Sequence, residues 1–282
     1  MNALVLPGGG ALGAYQVGFL LYYAESGGEG FDIICGTSVG AINGVGLAHE
    51  SPENFKAAVD WIHWLWTEKI KGSRSIYKWR RWKWLAALFF NSLATTKPVE
   101  KLLTDTIDQE RVRQSGVQLR LTAVDLLTNE LVVFDESTPD LVKAVMSSAS
   151  YPLVFPPVAY EGGLYTDGGV RDIAPLSHAI KAGATQILVI RNDFLTTPHK
   201  PVNVLDMALQ VVNVMSDEIV ETDIRECQHL NELAAFGASD RDRVYVKVAK
   251  PTKDLGDSLD FDPDLIEMRI EAGYKDAEAL YG

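Results

Sequence analysis

Phe31-Asp32-Ile33-Ile34-Cys35-Gly36-Thr37-Ser38-Val39-Gly40 decides how this chain is read. Residues 31–35 have the look of a short buried strand, and residues 39–50 that of a helix. Between them Gly36 and Gly40 bracket Ser38 in a Gly-x-Ser-x-Gly turn. Glycines two places before and after a serine let the chain fold back sharply, with no Cβ in the way. The serine hydroxyl is then held at the sheet edge, near a helix N-terminus that favours developing negative charge. An ordinary glycine turn has the same formula, but the strand-turn-helix setting favours a nucleophile elbow.

Upstream, residues 3–6 read as a second short buried strand. Gly8-Gly9-Gly10-Ala11-Leu12-Gly13 follows it and opens a helix over 11–25. Gly8, Gly10 and Gly13 fit the dinucleotide pattern Gly-x-Gly-x-x-Gly literally. That reading needs an acid at the end of the next strand, and Asp32 stands at its start. A P-loop is excluded, because no Gly-Lys-Ser/Thr follows. Consecutive glycines also leave backbone N–H groups bare and able to converge on one anionic oxygen. If the first two strands are neighbours, this loop lies beside Ser38. Oxyanion hole, nucleotide loop and plain tight turn stay open at this level, with the first preferred.

Downstream, helices are expected over 52–72, 98–108, 140–149, 175–182, 204–236 and 263–280. Strands are expected over 116–125, 130–134, 186–191 and 244–249. Strands alternating with helices imply a three-layer α/β/α fold with a mostly parallel central sheet. No linker divides the chain, so residues 1–282 are expected to form one domain. Within it, 52–96 forms a cap or lid region and 200–282 a C-terminal extension.

The 282 residues carry a net charge of −12, which argues against a general nucleic-acid binder. Cys35 and Cys227 are too few and too far apart for a disulfide framework, and read as buried reduced thiols. No secretory leader and no apolar run of membrane-spanning length is evident, so a cytoplasmic protein is expected. Nothing in the sequence calls for a cofactor or a metal.

A serine nucleophile needs a proton acceptor. His49, His63, His178, His199 and His229 lie in no catalytic motif. His49 ends the elbow helix, where it suits a stabilising cation at a helix C-terminus. Asp167, in Tyr165-Thr166-Asp167-Gly168-Gly169, follows a proline-rich loop over 151–157. Read locally, it is a turn aspartate bonding its own backbone.

Taken together, Gly8 to Gly13, Gly36 to Gly40 and Asp167-Gly168-Gly169 resemble the three motifs of the patatin-like phospholipase family. Ser148-Ala149-Ser150-Tyr151-Pro152 and Phe155-Pro156-Pro157 resemble that family's approach to its aspartate. The likeness covers roughly residues 3–190. It implies a Ser38–Asp167 dyad without histidine, supported by Gly36, Gly40, Gly168 and Gly169. It also implies an oxyanion hole from the backbone of Gly8, Gly9, Gly10 and Ala11, and hydrolysis of lipid esters through an acyl-serine. Transfer of the acyl group to another acceptor, or a non-catalytic lipid-binding module, are the alternatives. Two departures stand out: Leu12 where the family usually has a cation, and Ile173 where it often has Asn.

All six tryptophans, Trp61, Trp64, Trp66, Trp79, Trp82 and Trp84, fall within 24 residues. They interleave with Lys69, Lys71, Arg74, Lys78, Arg80, Arg81 and Lys83, so that residues 61–92 carry +6 and the remainder −18. Such a mixture suits an anionic bilayer interface. A lid touching lipid through Trp79, Arg80, Arg81, Trp82, Lys83 and Trp84 is the expectation; a cap packed on the core is the alternative.

Overall fold

Asn2–Leu6 (β1) and Ile33–Thr37 (β2) are apolar runs with residues facing both ways, and they pair in parallel with Leu6 opposite Gly36. The computed structural model describes residues 1–80, 90–192 and 243–282, with single positions between 202 and 232. Its other strands are Lys78–Trp79 (β3), Ala94–Thr95 (β4), Gln118–Asp125 (β5), Glu130–Phe134 (β6), Val158–Tyr160 (β7), Gly163–Asp167 (β8), Gln186–Ile190 (β9) and Tyr245–Ala249 (β10). The main sheet runs β10-β9-β1-β2-β5-β8-β7, with β6 on the second edge of β5, and among the described residues β3 pairs with β4. Strands β10, β9, β1, β2 and β5 are parallel, whereas β6 and β8 pair antiparallel with β5, and β7 pairs antiparallel with β8.

The described helices are Gly13–Glu25 (α1), Val39–Leu47 (α2), Phe55–Trp64 (α3), Lys97–Thr106 (α4), Gln109–Gln114 (α5), Leu141–Ser148 (α6), Leu176–Lys181 (α7) and Pro263–Tyr281 (α8). Side chains of a strand alternate between faces, and β1 divides accordingly. Leu4 and Leu6 enter the larger core with residues of α1, α2, α3 and α6. Ala3 and Val5 enter a smaller core closed by Leu176 and Ala179 of α7. The result is the expected α/β/α layering around a mostly parallel sheet.

Two local expectations are corrected and one, on Asp32, is upheld. The second strand spans 33–37 rather than 31–35, so extended backbone runs up to the turn itself. Asp32, before the strand, accepts the Asn2 N–H at 2.8 Å at the far end of the sheet, which removes it from any ribose role. Residues 158–167, read as loop and turn, are a hairpin. Glu161 and Gly162, both at positive φ (46° and 84°), make its two-residue connection. The expected helix over 204–236 lies mostly outside the described residues; the positions described there, such as Met207 and Ile224, are helical.

Candidate active site

The chain arrives at Ser38 along the central strand β2 and leaves in α2, and this geometry forces an unusual backbone. Ser38 has φ 57° and ψ −124°, a left-handed conformation that costs of order 1–3 kcal/mol and persists only where surroundings impose it. Here the surroundings are close backbone contacts. A Cβ on Gly36 would overlap the Gly40 carbonyl, and one on Gly40 would overlap the Leu6 carbonyl of β1. Both elbow glycines are thus required by packing. The Ser38 N–H donates to Ser148 Oγ at 2.9 Å.

Asp167 ends the antiparallel strand β8 and is 2% exposed, with Ser38 at 9%. Its Oδ1 accepts the Gly169 N–H at 2.8 Å, so the turn-aspartate role is realised on one oxygen. Its other oxygen, Oδ2, is buried and lacks a hydrogen bond of full geometry. Burial pushes the carboxyl up to about 6, with the Ser38 hydroxyl and the Gly169 N–H pulling the other way. The serine therefore lies close enough to act on the carboxyl although their hydrogen bond is incomplete, as is common in unliganded sites.

One short stretch holds both residues. Ser148 Oγ takes the Ser38 N–H, while the Ser150 carbonyl takes the Asp167 N–H at 3.1 Å and the Thr166 hydroxyl at 2.9 Å. Ser150 Oγ in turn donates to the Met146 and Pro156 carbonyls. Below Ser38 and Asp167, Thr37 Oγ1 and Thr122 Oγ1 are hydrogen-bonded to each other at 2.5 Å, and both lie within hydrogen-bond reach of the Asp172 carbonyl. These positioning roles follow from three-dimensional contacts, and only the serine-rich spelling of 147–150 hinted at them.

The glycine loop narrows from four expected donors to two. The Ala11 N–H donates to the Ser258 carbonyl at 2.7 Å, and the Gly8 N–H to the Ile173 carbonyl at 3.3 Å. Gly9 and Gly10 keep N–H groups without a protein acceptor among the described residues. Gly10, at φ 57°, lies against Ser258, whose carbonyl a Cβ would strike. Ile173, in place of the expected Asn, packs between loop and dyad: its Cδ1 is 2.5 Å from where a Cβ on Gly8 or on Gly169 would stand. Apolar wedging here substitutes for a supporting side-chain hydrogen bond.

Histidine is absent from this site among the described residues. His49 accepts the Asp108 N–H at its Nε2 and meets the Gly46 carbonyl at Nδ1, and its ring lies 4.4 Å from that of Trp61. Both nitrogens are thus engaged as in a neutral ring, and burial lowers its pKa. The expected helix-terminal cation is corrected. His178 sits 3.4 Å from Asp172, not at Ser38, and His199 lies outside the described residues.

From Ser38 and Gly10 an apolar cavity runs between α2, α4 and α6. Ile42, Leu65, Trp66, Leu102, Met146 and Phe261 are among its walls. Trp66 is fully buried, donating to Asn43 Oδ1 at 2.8 Å, and Asn43 bonds the Gly13 carbonyl and Gln16 behind the glycine loop. Trp61 is half-buried. The core-packing alternative therefore holds for Trp66, while Trp64 and Trp79 are 38% and 37% exposed. Arg81, Trp82, Lys83 and Trp84 lie outside the described residues.

The fold is an α/β protein that gathers a strained serine at a strand-helix elbow, a buried carboxyl group and two bare loop amides at one place. A patatin-like phospholipase family model matches residues 4–180, more than half of the chain, and the chain belongs to that family. Among solved structures it is similar to VipD from Legionella pneumophila, at 15% identity and a TM-score of 0.46, over 99% of this chain and 66% of that one. It is also similar to the type III effector ExoU, at 15% identity and a TM-score of 0.40, over 99% of this chain and 52% of that one. Full-length ExoU from Pseudomonas aeruginosa, in complex with SpcU, matches at 16% and 0.36 over the same shares. The chain thus spans about two thirds of the VipD chain and half of the ExoU chain.

Proposed function

We propose that this protein hydrolyses carboxylic esters of lipids, in the manner of a phospholipase A or lysophospholipase, through a Ser38–Asp167 dyad. Family membership supports lipid acyl hydrolysis in general. The observation that carries the dyad is the buried Asp167 carboxylate, with Oδ2 left bare and Ser38 acting on its pKa.

In the first half-reaction, Ser38 Oγ attacks the acyl carbonyl and its proton passes to Asp167 Oδ2. The tetrahedral oxyanion rests on the Gly9 and Gly10 N–H groups, each such donor being worth about 3 kcal/mol in acyl transfer. Collapse breaks the ester C–O bond, and the departing alkoxide takes the proton from Asp167. Water then attacks the acyl-serine, giving a proton to the same carboxylate; the acyl C–Oγ bond breaks, Ser38 Oγ takes that proton back from Asp167, and the fatty acid leaves. A carboxyl raised to about 6 stays ionised at neutral pH yet accepts a proton more readily than an exposed aspartate. The apolar cavity next to Ser38 is shaped for the acyl chain. Contact with the bilayer through exposed Trp79 and the neighbouring Arg80, stacked 4.4 Å over the exposed Phe90 ring, belongs to the same proposal.

The direct test is labelling by a fluorophosphonate probe. Wild-type protein should label, Ser38→Ala should not, and Asp167→Asn should label far more slowly. A wild type that takes no label would defeat the hydrolase reading and favour a lipid-binding module instead. Labelling that survives Ser38→Ala would move the nucleophile elsewhere.

A further inference from the structure

Beside the cavity at Ser38 lies a second depression of opposite character. Lys69, Lys78, Lys97 and Lys101 line an open groove of about 550 Å³, together with Ser75, Thr95 and Asp105. All four lysines are exposed. Asp105, the groove's one carboxylate, is already paired with Lys101 at 2.6 Å. Lys69 lies 4.7 Å over the Trp64 ring. Lys78 and Lys97 meet no carboxylate among the described residues. In a chain of net charge −12, such a concentration of one sign is self-repelling without a counter-anion, and it draws anions toward the concavity.

The groove and the apolar cavity share a wall. Ile70, Ile76 and Thr96 line the cavity, whereas their chain neighbours Lys69, Ser75 and Thr95 line the groove, and Leu102, between groove-lining Lys101 and cavity-lining Leu103, lines both. Pairing of β3 with β4 sets Lys78 opposite Thr95 and places exposed Trp79 opposite Ala94 at the same edge. Lysine ammoniums and hydroxyls are the donors a phosphate needs, and an exposed indole suits the depth at which lipid headgroups lie.

We propose that this groove binds the phosphate-bearing headgroup of an anionic membrane lipid, and so seats the protein with its acyl cavity against the bilayer. The choice of a lipid over a soluble phosphate compound rests on the lipid-ester reading above. The cationic role expected of the family's loop, where Leu12 stands here, would then fall to a different part of the molecule.

The test compares the full chain with Lys78→Gln/Lys97→Gln and with the charge-keeping Lys78→Arg/Lys97→Arg. Binding is measured by co-sedimentation with vesicles of phosphatidylcholine, with and without phosphatidylglycerol. A lysine at an anionic surface is worth about fivefold in binding, so the Gln pair should weaken it roughly 25-fold. The Arg pair should bind like wild type, and wild-type binding should fall as salt rises. Fluorophosphonate labelling and cleavage of a short soluble ester should be unchanged in both variants, which also shows that they fold. Equal binding of wild type and the Gln pair to anionic vesicles would overturn the proposal. So would equal binding of wild type to both vesicle types, or complete competition by free glycerol phosphate at concentrations matching the vesicle headgroup. A wild type that binds anionic vesicles through these lysines yet takes no probe would overturn the hydrolase reading alone.

Discussion

Asp167 sets the terms at the scale of single residues. Its carboxyl is raised from 3.8 to about 6, chiefly by burial. The ionised form is therefore the costly one in the folded protein. Stability from this group is fully present below about pH 4 and is lost as pH rises through about 6, amounting to roughly 3 kcal/mol at neutrality. Replacing Asp167 by Asn should remove that loss. Denaturant melts should then show the variant gaining on wild type between pH 4 and 7, and a gap that is constant with pH would contradict the assignment. The same group should set the rate profile: kcat/KM on a short soluble ester should rise with an apparent pKa near 6 and flatten above it. Asp167→Asn should lower that rate by about 10²–10⁴, the usual range for a general base. Sequence led to Ser38 through glycine spacing alone, because Gly36 and Gly40 sit two residues from the serine; that Gly40 must also clear the Leu6 carbonyl of β1 emerges only in the fold. Asp167 was legible only through resemblance, since a turn aspartate bonding Gly169 looks the same whether or not its second oxygen faces a serine.

At the scale of elements, α2, α4 and α6 enclose the cavity, and β8 delivers Asp167 to its rim. Val99 on α4 faces the cavity and is buried, so Val99→Phe should fill part of it. Hydrolysis of long-chain esters should fall at least tenfold relative to short ones, given that one methylene in an apolar pocket discriminates by about 10–200-fold. Overpacking should cost about 1–3 kcal/mol, visible in the same melts. A parallel drop on all chain lengths would mean that the cavity does not hold the acyl chain. The hairpin β7–β8 shows why some elements escaped a linear reading. Its Glu161-Gly162 connection has two positive-φ residues but not the Asn-Gly or Asp-Gly spelling that flags such turns. The tryptophan-rich segment divides for a related reason. Trp66 is recruited to the core, where its indole N–H donates to Asn43, 23 residues earlier, whereas Trp79 stays at an edge.

Across the whole molecule, the region after residue 190 completes the site although it carries no motif. Arg269 of α8 is fully buried and donates to the carbonyls of Leu255, Asp257 and Asp260, at 2.9, 2.9 and 2.6 Å. That clamp shapes the 255–260 loop, whose Ser258 carbonyl fixes Ala11 and abuts Gly10. Asn192 backs Gly9, and Phe261 reaches the cavity. Arg269→Met would strand the buried Leu255 carbonyl, at about 1–3 kcal/mol, and free the part-buried carbonyls of Asp257 and Asp260. The variant should melt lower, and in the surviving folded protein kcat should fall more than KM rises if, as proposed, the loop amides hold the transition-state oxyanion. Unchanged kcat would separate this clamp from the oxyanion loop.

What the sequence determined by itself is the order of most elements, the parallel character of the sheet's centre and the glycine-flanked turn at Ser38. Each of these is written in spacing over a few residues: apolar runs, helix periods and glycines flanking a serine. What the tertiary structure alone decided is which amides remain free for an oxyanion, which tryptophans are core and which surface, and that four lysines share one groove. Those outcomes depend on contacts between residues far apart in the chain, such as Ala11 with Ser258 or Lys78 with Thr95. No local pattern encodes them; folding brings the partners together.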